Sequence, residues 1–313
     1  MKRCPQNHCF APETTCALGQ IELADCPDWT ADPTLKATED EADDHFLLPW
    51  SGGALGLADL AFVAGRARPM IIGIIGPANA GKTTLLAAWY LLLGRGEAHP
   101  TDRRFSGSFS LEGWETVAGS LRWAPGRMPS FPPHTTSRGD RAPGLLHLSF
   151  IEEGQRRSTD YLFTDAPGEW FQRWESNRDA AQAEGARWIA DHADILLLIA
   201  DRGALAGERR GAARGSFQRL ARRLAAERRE RPVALVWTKA DIEVEPEMEQ
   251  AVQQSVLQLM PDAAEFSVSV LEAETGWTAL LDWVLQARRP GVVLPTHLAK
   301  SDDPFFLLGA VPA

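Results

Sequence analysis

Residues 70–84 read Met70-Ile71-Ile72-Gly73-Ile74-Ile75-Gly76-Pro77-Ala78-Asn79-Ala80-Gly81-Lys82-Thr83-Thr84, and this stretch decides the fold. The first six residues are an Ile-rich run broken only by Gly73, as in a parallel strand buried on both faces. The next eight fit G-x-x-x-x-G-K-[ST]. Lys82 to Leu93 then reads as an apolar helix. Strand, glycine-rich turn and helix in that order make a phosphate loop. Glycine lets the backbone turn its N–H groups toward phosphate oxygens, and the helix N-terminus adds positive potential. Gly76, Asn79, Ala80, Gly81 and Thr84 are the expected cradle. Lys82 would reach the β- and γ-phosphates, and Thr83 would ligate Mg²⁺.

Downstream, strands alternate with helices. Leu145–Ile151 and Tyr161–Thr164 read as an antiparallel hairpin around Gly154. Gln172–Ala193 reads as one helix and Ile195–Ala200 as a buried strand. Ala212–Glu230 is a helix with the core stripe Ala213, Phe217, Leu220, Leu224. Val233–Trp237 and Glu265–Val270 read as strands, Met248–Leu259 and Trp277–Gln286 as helices. The expected class is α/β, a mostly parallel sheet sandwiched by helices, preceded by a small Cys-rich module. Residues 95–140, rich in Gly, Pro, Ser and Arg, show little periodicity. The expected organisation is a Cys-rich module at 1–30, an acidic linker and entry segment at 31–67, the α/β domain at 68–288 and a tail at 289–313.

Two further motifs carry chemistry. Asp165-Ala166-Pro167-Gly168 follows a strand and fits D-x-x-G. An acid at that strand end can hold Mg²⁺ opposite the phosphate loop, and the glycine N–H can sense a γ-phosphate. Thr238-Lys239-Ala240-Asp241 follows the strand Val233–Trp237 and fits [NT]-K-x-D. Its carboxylate can accept two hydrogen bonds, from N1–H and the 2-amino group of guanine. Adenine offers neither donor there, so an unpaired buried carboxylate would penalise it. The Lys239 stem can lie over the base plane. Ser269, at the end of Glu265–Val270, would anchor a loop whose backbone meets the guanine O6; a plain strand end reads the same way.

Together these motifs resemble the P-loop GTPases of the translation-factor-related class, over about residues 68–288. The resemblance implies GTP and GDP as ligands, Mg²⁺ as cofactor and hydrolysis of GTP. It also implies a Mg²⁺-ligating switch threonine before the strand that leads to D-x-x-G, here Thr136 or its neighbour Thr135. Many small GTPases carry Gln after D-x-x-G to orient the attacking water. Glu169 stands here, and its charge faces the γ-phosphate unfavourably, which implies slow or partner-dependent hydrolysis. Catalysis would thus fall to Lys82, Thr136, Gly168 and Glu169. Asn79 makes the loop G-x-x-N-x-G-K-T, similar to GTPases in which this Asn helps bind K⁺ in place of an arginine finger; Asn also simply suits a turn. More narrowly, Cys4-Pro5-Gln6-Asn7-His8-Cys9, Pro49-Trp50-Ser51-Gly52 and Asp165-Ala166-Pro167-Gly168-Glu169-Trp170 resemble GTPase modules of bacterial conflict systems. That implies a regulated switch acting on a protein partner, a second GTPase or an adaptor.

The four cysteines, Cys4, Cys9, Cys16 and Cys26, all fall in the first 26 residues. Four soft ligands so close suit tetrahedral Zn²⁺, with His8 as an alternative ligand. The spacings are not C-x₂-C pairs, so free thiols or a redox role remain as the other reading. The net charge of −10 disfavours nonspecific nucleic-acid binding. It is unevenly spread. Residues 202–231 hold ten Arg against three Glu, while Glu39–Asp44 holds five acids in six residues. Such runs are commonly solvated faces and linkers. No apolar run approaches the roughly 18 residues of a membrane span, and residues 1–5 lack a signal-peptide core. The expectation is a cytoplasmic protein. Three rivals stand beside the switch: a nucleotide-bound scaffold that never turns over, an ATPase of the same broad fold, and an interaction protein whose Cys-rich module is the working part.

Overall fold

The computed structural model of the 313-residue chain describes residues 53–288, apart from 66, 98–99, 124, 126–127, 133–141, 155 and 273–275. Cys4, Cys9, Cys16, Cys26, Thr135, Thr136 and the tail at 289–313 lie outside the described residues. The strands are β1 (Met70–Ile75), β2 (Arg103–Gly107), β3 (Gly144–Glu152), β4 (Ser158–Asp165), β5 (Ile195–Asp201), β6 (Val233–Thr238) and β7 (Ala264–Val268). The helices are α1 (Leu60–Ala64), α2 (Lys82–Arg95), α3 (Leu111–Ala118), α4 (Gly168–Ser176), α5 (Glu184–His192), α6 (Arg202–Ala206), α7 (Arg210–Glu227), α8 (Pro246–Leu259) and α9 (Trp277–Gln286).

The strands form one sheet in the order β2-β3-β4-β1-β5-β6-β7. β1 pairs in parallel with β4 and β5, and β6 in parallel with β5 and β7. β2, β3 and β4 pair antiparallel, as expected for a hairpin turning at Gly154, whose φ is +79°. Side chains alternate between two cores, following the period of two along a strand. Ile72, Ile74, Ile195, Leu197, Ile199, Ala234 and Val236 pack beneath α2, α3 and α9. Ile75, Leu196, Leu198, Leu235 and Trp237 pack beneath α4, α5, α7 and α8. Helices therefore cover both faces, which explains why β1 and β5 read as unbroken apolar runs.

Two expectations change. The single helix expected over Gln172–Ala193 is two. Asn177 caps α4 in an extended conformation, and its side chain accepts the Asp179 N–H at 3.1 Å, diverting the backbone from the helical ladder. A 3₁₀ turn over Ala181–Ala183 then leads into α5. The stretch 95–140 is not featureless, for it contains β2 and α3. Edge strand β2 is held from outside its own sequence. Buried Arg103 donates to the Tyr161 hydroxyl at 2.8 Å and to Glu152 at 3.3 Å. In α3, Trp114 is fully buried and donates to the His147 carbonyl at 2.9 Å. In the entry segment, Leu55 bridges to Leu145, and a 3₁₀ turn over Leu57–Asp59 leads into the short α1.

Helix α4 is fixed by three buried aromatics, Trp170, Phe171 and Trp174. The Trp170 ring fills the space beside Gly185 of α5. A Cβ built on Gly185 would lie 2.1 Å from that ring. Alanine favours a helix over glycine by about 1 kcal/mol, whereas overpacking costs about 1–3 kcal/mol. Gly185→Ala is therefore expected to destabilise the domain by up to about 2 kcal/mol net. In a domain of this size that is a fall of up to roughly 8 °C in Tm, measured by thermal unfolding; a raised Tm would show that Trp170 yields freely.

Candidate functional site

The carboxyl ends of β1, β4, β5 and β6 meet on one edge of the sheet, where ligands bind in open α/β folds. The loop after β1 turns through two left-handed residues, Asn79 at φ 59° and Gly81 at φ 83°. At Gly81 the conformation, not space, demands glycine: a Cβ would meet Thr238 at an ordinary 3.5 Å. Gly81 caps α2, whose first turn holds no acidic residue of its own, and the residues of that turn face the cleft. Gly76 is packed where a Cβ would lie 2.8 Å from Ile199 Cβ.

Lys82 is 6% exposed. Its ammonium donates to the carbonyls of Gly76 at 3.1 Å and Pro77 at 2.7 Å, arching back over the loop. The Phe171 ring lies 5.8 Å from Nζ. Burial pushes its pKa down to about 8, against the pull of Asp165, Glu169 and Asp201 toward the charged form. Thr83 Oγ1 donates to Asp165 Oδ1 at 2.9 Å, so the two expected Mg²⁺-side oxygens already meet. These are hard oxygen donors and suit Mg²⁺, which takes few protein ligands and completes its shell with phosphates and water. Among the described residues, no group of three or more His, Cys, Asp or Glu is placed to hold a metal ion.

Gly168 opens α4 directly against the phosphate loop. A Cβ there would fall 2.0 Å from the Ala78 nitrogen, so backbone lies on backbone and no side chain fits. Glu169 follows, exposed at the helix start.

The residues after β6 are joined to the same loop. Thr238 Oγ1 donates to the Ala80 carbonyl at 2.8 Å. Lys239, itself left-handed at φ 56°, donates to the Asn79 carbonyl at 3.1 Å. Asp241 accepts a short hydrogen bond from the Ser269 hydroxyl, which in turn accepts the Leu271 N–H at 3.0 Å. Ser269 is thus the partner of the carboxylate expected to read the base. Trp277 steadies it from below, donating to the Ser269 carbonyl at 3.0 Å.

Asn79, Ala80, Gly81, Lys82, Thr83, Thr84, Gly168, Thr238, Lys239, Asp241 and Ser269 all line one cleft of about 480 Å³. Thr136 falls outside the described residues. The sequence missed Phe131 and Pro132, which wall the cleft although Phe131 is 63% exposed, and Leu271 at its rim. No local signal marks them. It also missed Asp201, which ends β5 as Asp165 ends β4; the acid-at-a-strand-end reasoning used for Asp165 would have found it.

This fold, with its glycine-rich loop between β1 and α2, defines a P-loop protein. Residues 70–281 match the model of the Double-GTPase 2 family, well over half of the chain, and the chain belongs to that family of P-loop GTPases. No curated protein matches. Similar solved structures include Era in complex with MgGDPNP and nucleotides 1506–1542 of 16S ribosomal RNA, at 18% identity over 76% of this chain, TM-score 0.39. They also include an Aquifex aeolicus Era variant bound to GDP·AlF₄⁻, at 16% over 76%, TM-score 0.36. A Methanosarcina barkeri Roco protein bound to GDP matches at 12% over 70%, TM-score 0.35. The chain spans 63% of each Era chain and 48% of the Roco chain. Nothing functional follows from likenesses this distant. Among the described residues, no helix is long and apolar enough to cross a membrane.

Proposed function

We propose that this chain binds GTP, hydrolyses it to GDP and phosphate, and uses the exchange to control a partner protein. One observation carries the reading. The Thr238–Asp241 segment is bonded to the phosphate loop at Asn79 and Ala80, so the guanine reader and the phosphate cradle share one cleft. Adenine would leave the Asp241 carboxylate facing no donor, a loss of discrimination energy that hydrogen-bonding sites convert into large selectivity.

In this reading the amides of the loop and the α2 N-terminus hold the phosphates, and the Lys82 ammonium offsets their charge. Thr83 and Asp165, with Thr136 as a further ligand, would hold Mg²⁺, which would supply charge neutralisation on the phosphate oxygens. The Gly168 N–H meets the terminal phosphate, and Glu169 orients the attacking water. Loss of that phosphate releases the segment at Gly168 and changes the surface of α4. K⁺ beside Asn79 would add charge at the same end. A second GTPase or an adaptor in a bacterial conflict system is the partner proposed, and Zn²⁺ on Cys4, Cys9, Cys16 and Cys26 the structural metal.

The test is calorimetric titration of nucleotide-free protein with GDP and with ADP in Mg²⁺, followed by phosphate release from GTP with and without K⁺. GDP binding without ADP binding is expected, with measurable phosphate release. Equal binding of both, or ADP alone, would sink the guanine reading. Tight GTP without any release would leave the scaffold reading, which Glu169 favours because its charge lies near the phosphate end, close enough to act on Lys82.

A further inference from the structure

Asp201 is 7% exposed and ends β5, where it is paired in register with Thr238 of β6. Its Oδ1 accepts the Ala204 N–H at 3.3 Å, capping α6. A cap needs no charge, since Asn and Ser serve as well. A carboxylate this buried costs several kcal/mol unless it is paired. Its partner is Lys239, whose ammonium lies 2.8 Å from Oδ2.

The same ammonium reaches the Asn79 carbonyl, so Asp201, Lys239 and the phosphate loop form one chain of contacts. The Lys239 stem passes over Gly203, where a Cβ would meet both Lys239 Cδ and Asp201 Oδ1 at 3.2 Å. Lys239 also holds a left-handed backbone, a conformation that costs a side-chain-bearing residue about 1 kcal/mol or more and persists only where its surroundings enforce it. Its side chain is 37% exposed, so without an anchor the stem would be free to swing into solvent.

We infer that Asp201 is a positioning residue for nucleotide binding. It fixes the Lys239 ammonium so that the stem lies flat beside the base and the amine stays on the phosphate loop. This rests on the guanine-nucleotide reading above and adds a residue that none of the sequence motifs contains.

A double-mutant cycle on the full chain isolates the effect. GDP affinity in Mg²⁺ is measured by calorimetry for wild type, Asp201→Asn, Lys239→Met and the double variant, with Tm for each. Asn keeps the cap acceptor and removes the charge. Asp201→Asn is expected to weaken GDP about tenfold, the scale of one charge-assisted contact. In the Lys239→Met background the same change is expected to cost less than about twofold, because the ammonium that Asp201 positions is gone. Affinity within twofold of wild type for Asp201→Asn overturns the inference. So does a tenfold loss that persists without Lys239, for then Asp201 acts through the fold or through its charge on Lys82. If Asp201→Asn does not fold, Asp201→Ser, a smaller cap without charge, takes its place with the same expectations. Wild type that binds no GDP overturns the guanine reading itself; wild type that binds, with either adverse result, overturns only the role of Asp201.

Discussion

Asp241→Asn is expected to weaken GDP binding by roughly 100- to 10,000-fold and to create affinity for xanthosine diphosphate. Two hydrogen bonds to a charged acceptor are at stake, each worth about 1.5–3 kcal/mol, and every 1.4 kcal/mol is about tenfold. The structure says which way the new amide would turn. Ser269 gives its one proton to Asp241 and spends an acceptor site on the Leu271 N–H. An Asn at 241 keeps that bond only by placing its carbonyl oxygen toward Ser269. Its NH₂ then faces the base, where the guanine 2-amino group would oppose donor to donor. Xanthine carries an oxygen at that position and accepts instead. Calorimetry with GDP and with xanthosine diphosphate on both proteins checks this. Undiminished GDP affinity would mean that Asp241 does not read the base, and the cleft would lose its claim to guanine selectivity.

That Asp241 can be named from the sequence, and Phe131 and Leu271 cannot, shows where sequence reading stops. β1, the phosphate loop and α2 were legible because chemistry, backbone and order coincide there: a doubly buried strand needs an apolar run, and Gly81 needs a left-handed φ. β5 and β6 were legible for the same burial reason. The partition of Gln172–Ala193 into α4 and α5 was not, because one side-chain hydrogen bond from Asn177 outweighs the helical pattern around it. β2 and α3 were hidden because what holds them lies far along the chain, in Tyr161, Glu152 and His147. The cleft repeats this division. Its contiguous motifs carry their own spacing, whereas Phe131 and Leu271 enter through tertiary placement alone.

Lys82→Met is expected to separate binding from stability, lowering GDP affinity about 100-fold or more while leaving the fold as stable as wild type or more so. The reason is the burial of the ammonium. Its pKa is about 8 in the folded chain, against an ordinary lysine value of 10.5. The unfolded chain therefore holds the proton more tightly, and the folded state bears a penalty on the order of 3 kcal/mol at neutral pH. Between about pH 8 and 10.5 the unfolded state binds more protons, so stability of the free protein rises with pH in that window and is flat below it. Methionine removes the charge at similar volume, offset by the loss of donors to the Gly76 and Pro77 carbonyls. Nucleotide binding runs the opposite way. Phosphates favour the ammonium, so the pKa rises on binding and a proton is taken up above pH 8. GDP affinity of the wild type is expected to hold steady from pH 7.5 to about 8 and then to fall, approaching about tenfold per pH unit. Calorimetry between pH 7.5 and 9.5, in buffers of different ionisation enthalpy, measures both the affinity and the protons taken up. Lys82→Met should lose the pH dependence along with the affinity. An affinity that stays flat to pH 9.5 in the wild type would mean that the Lys82 ammonium is not what meets the phosphates.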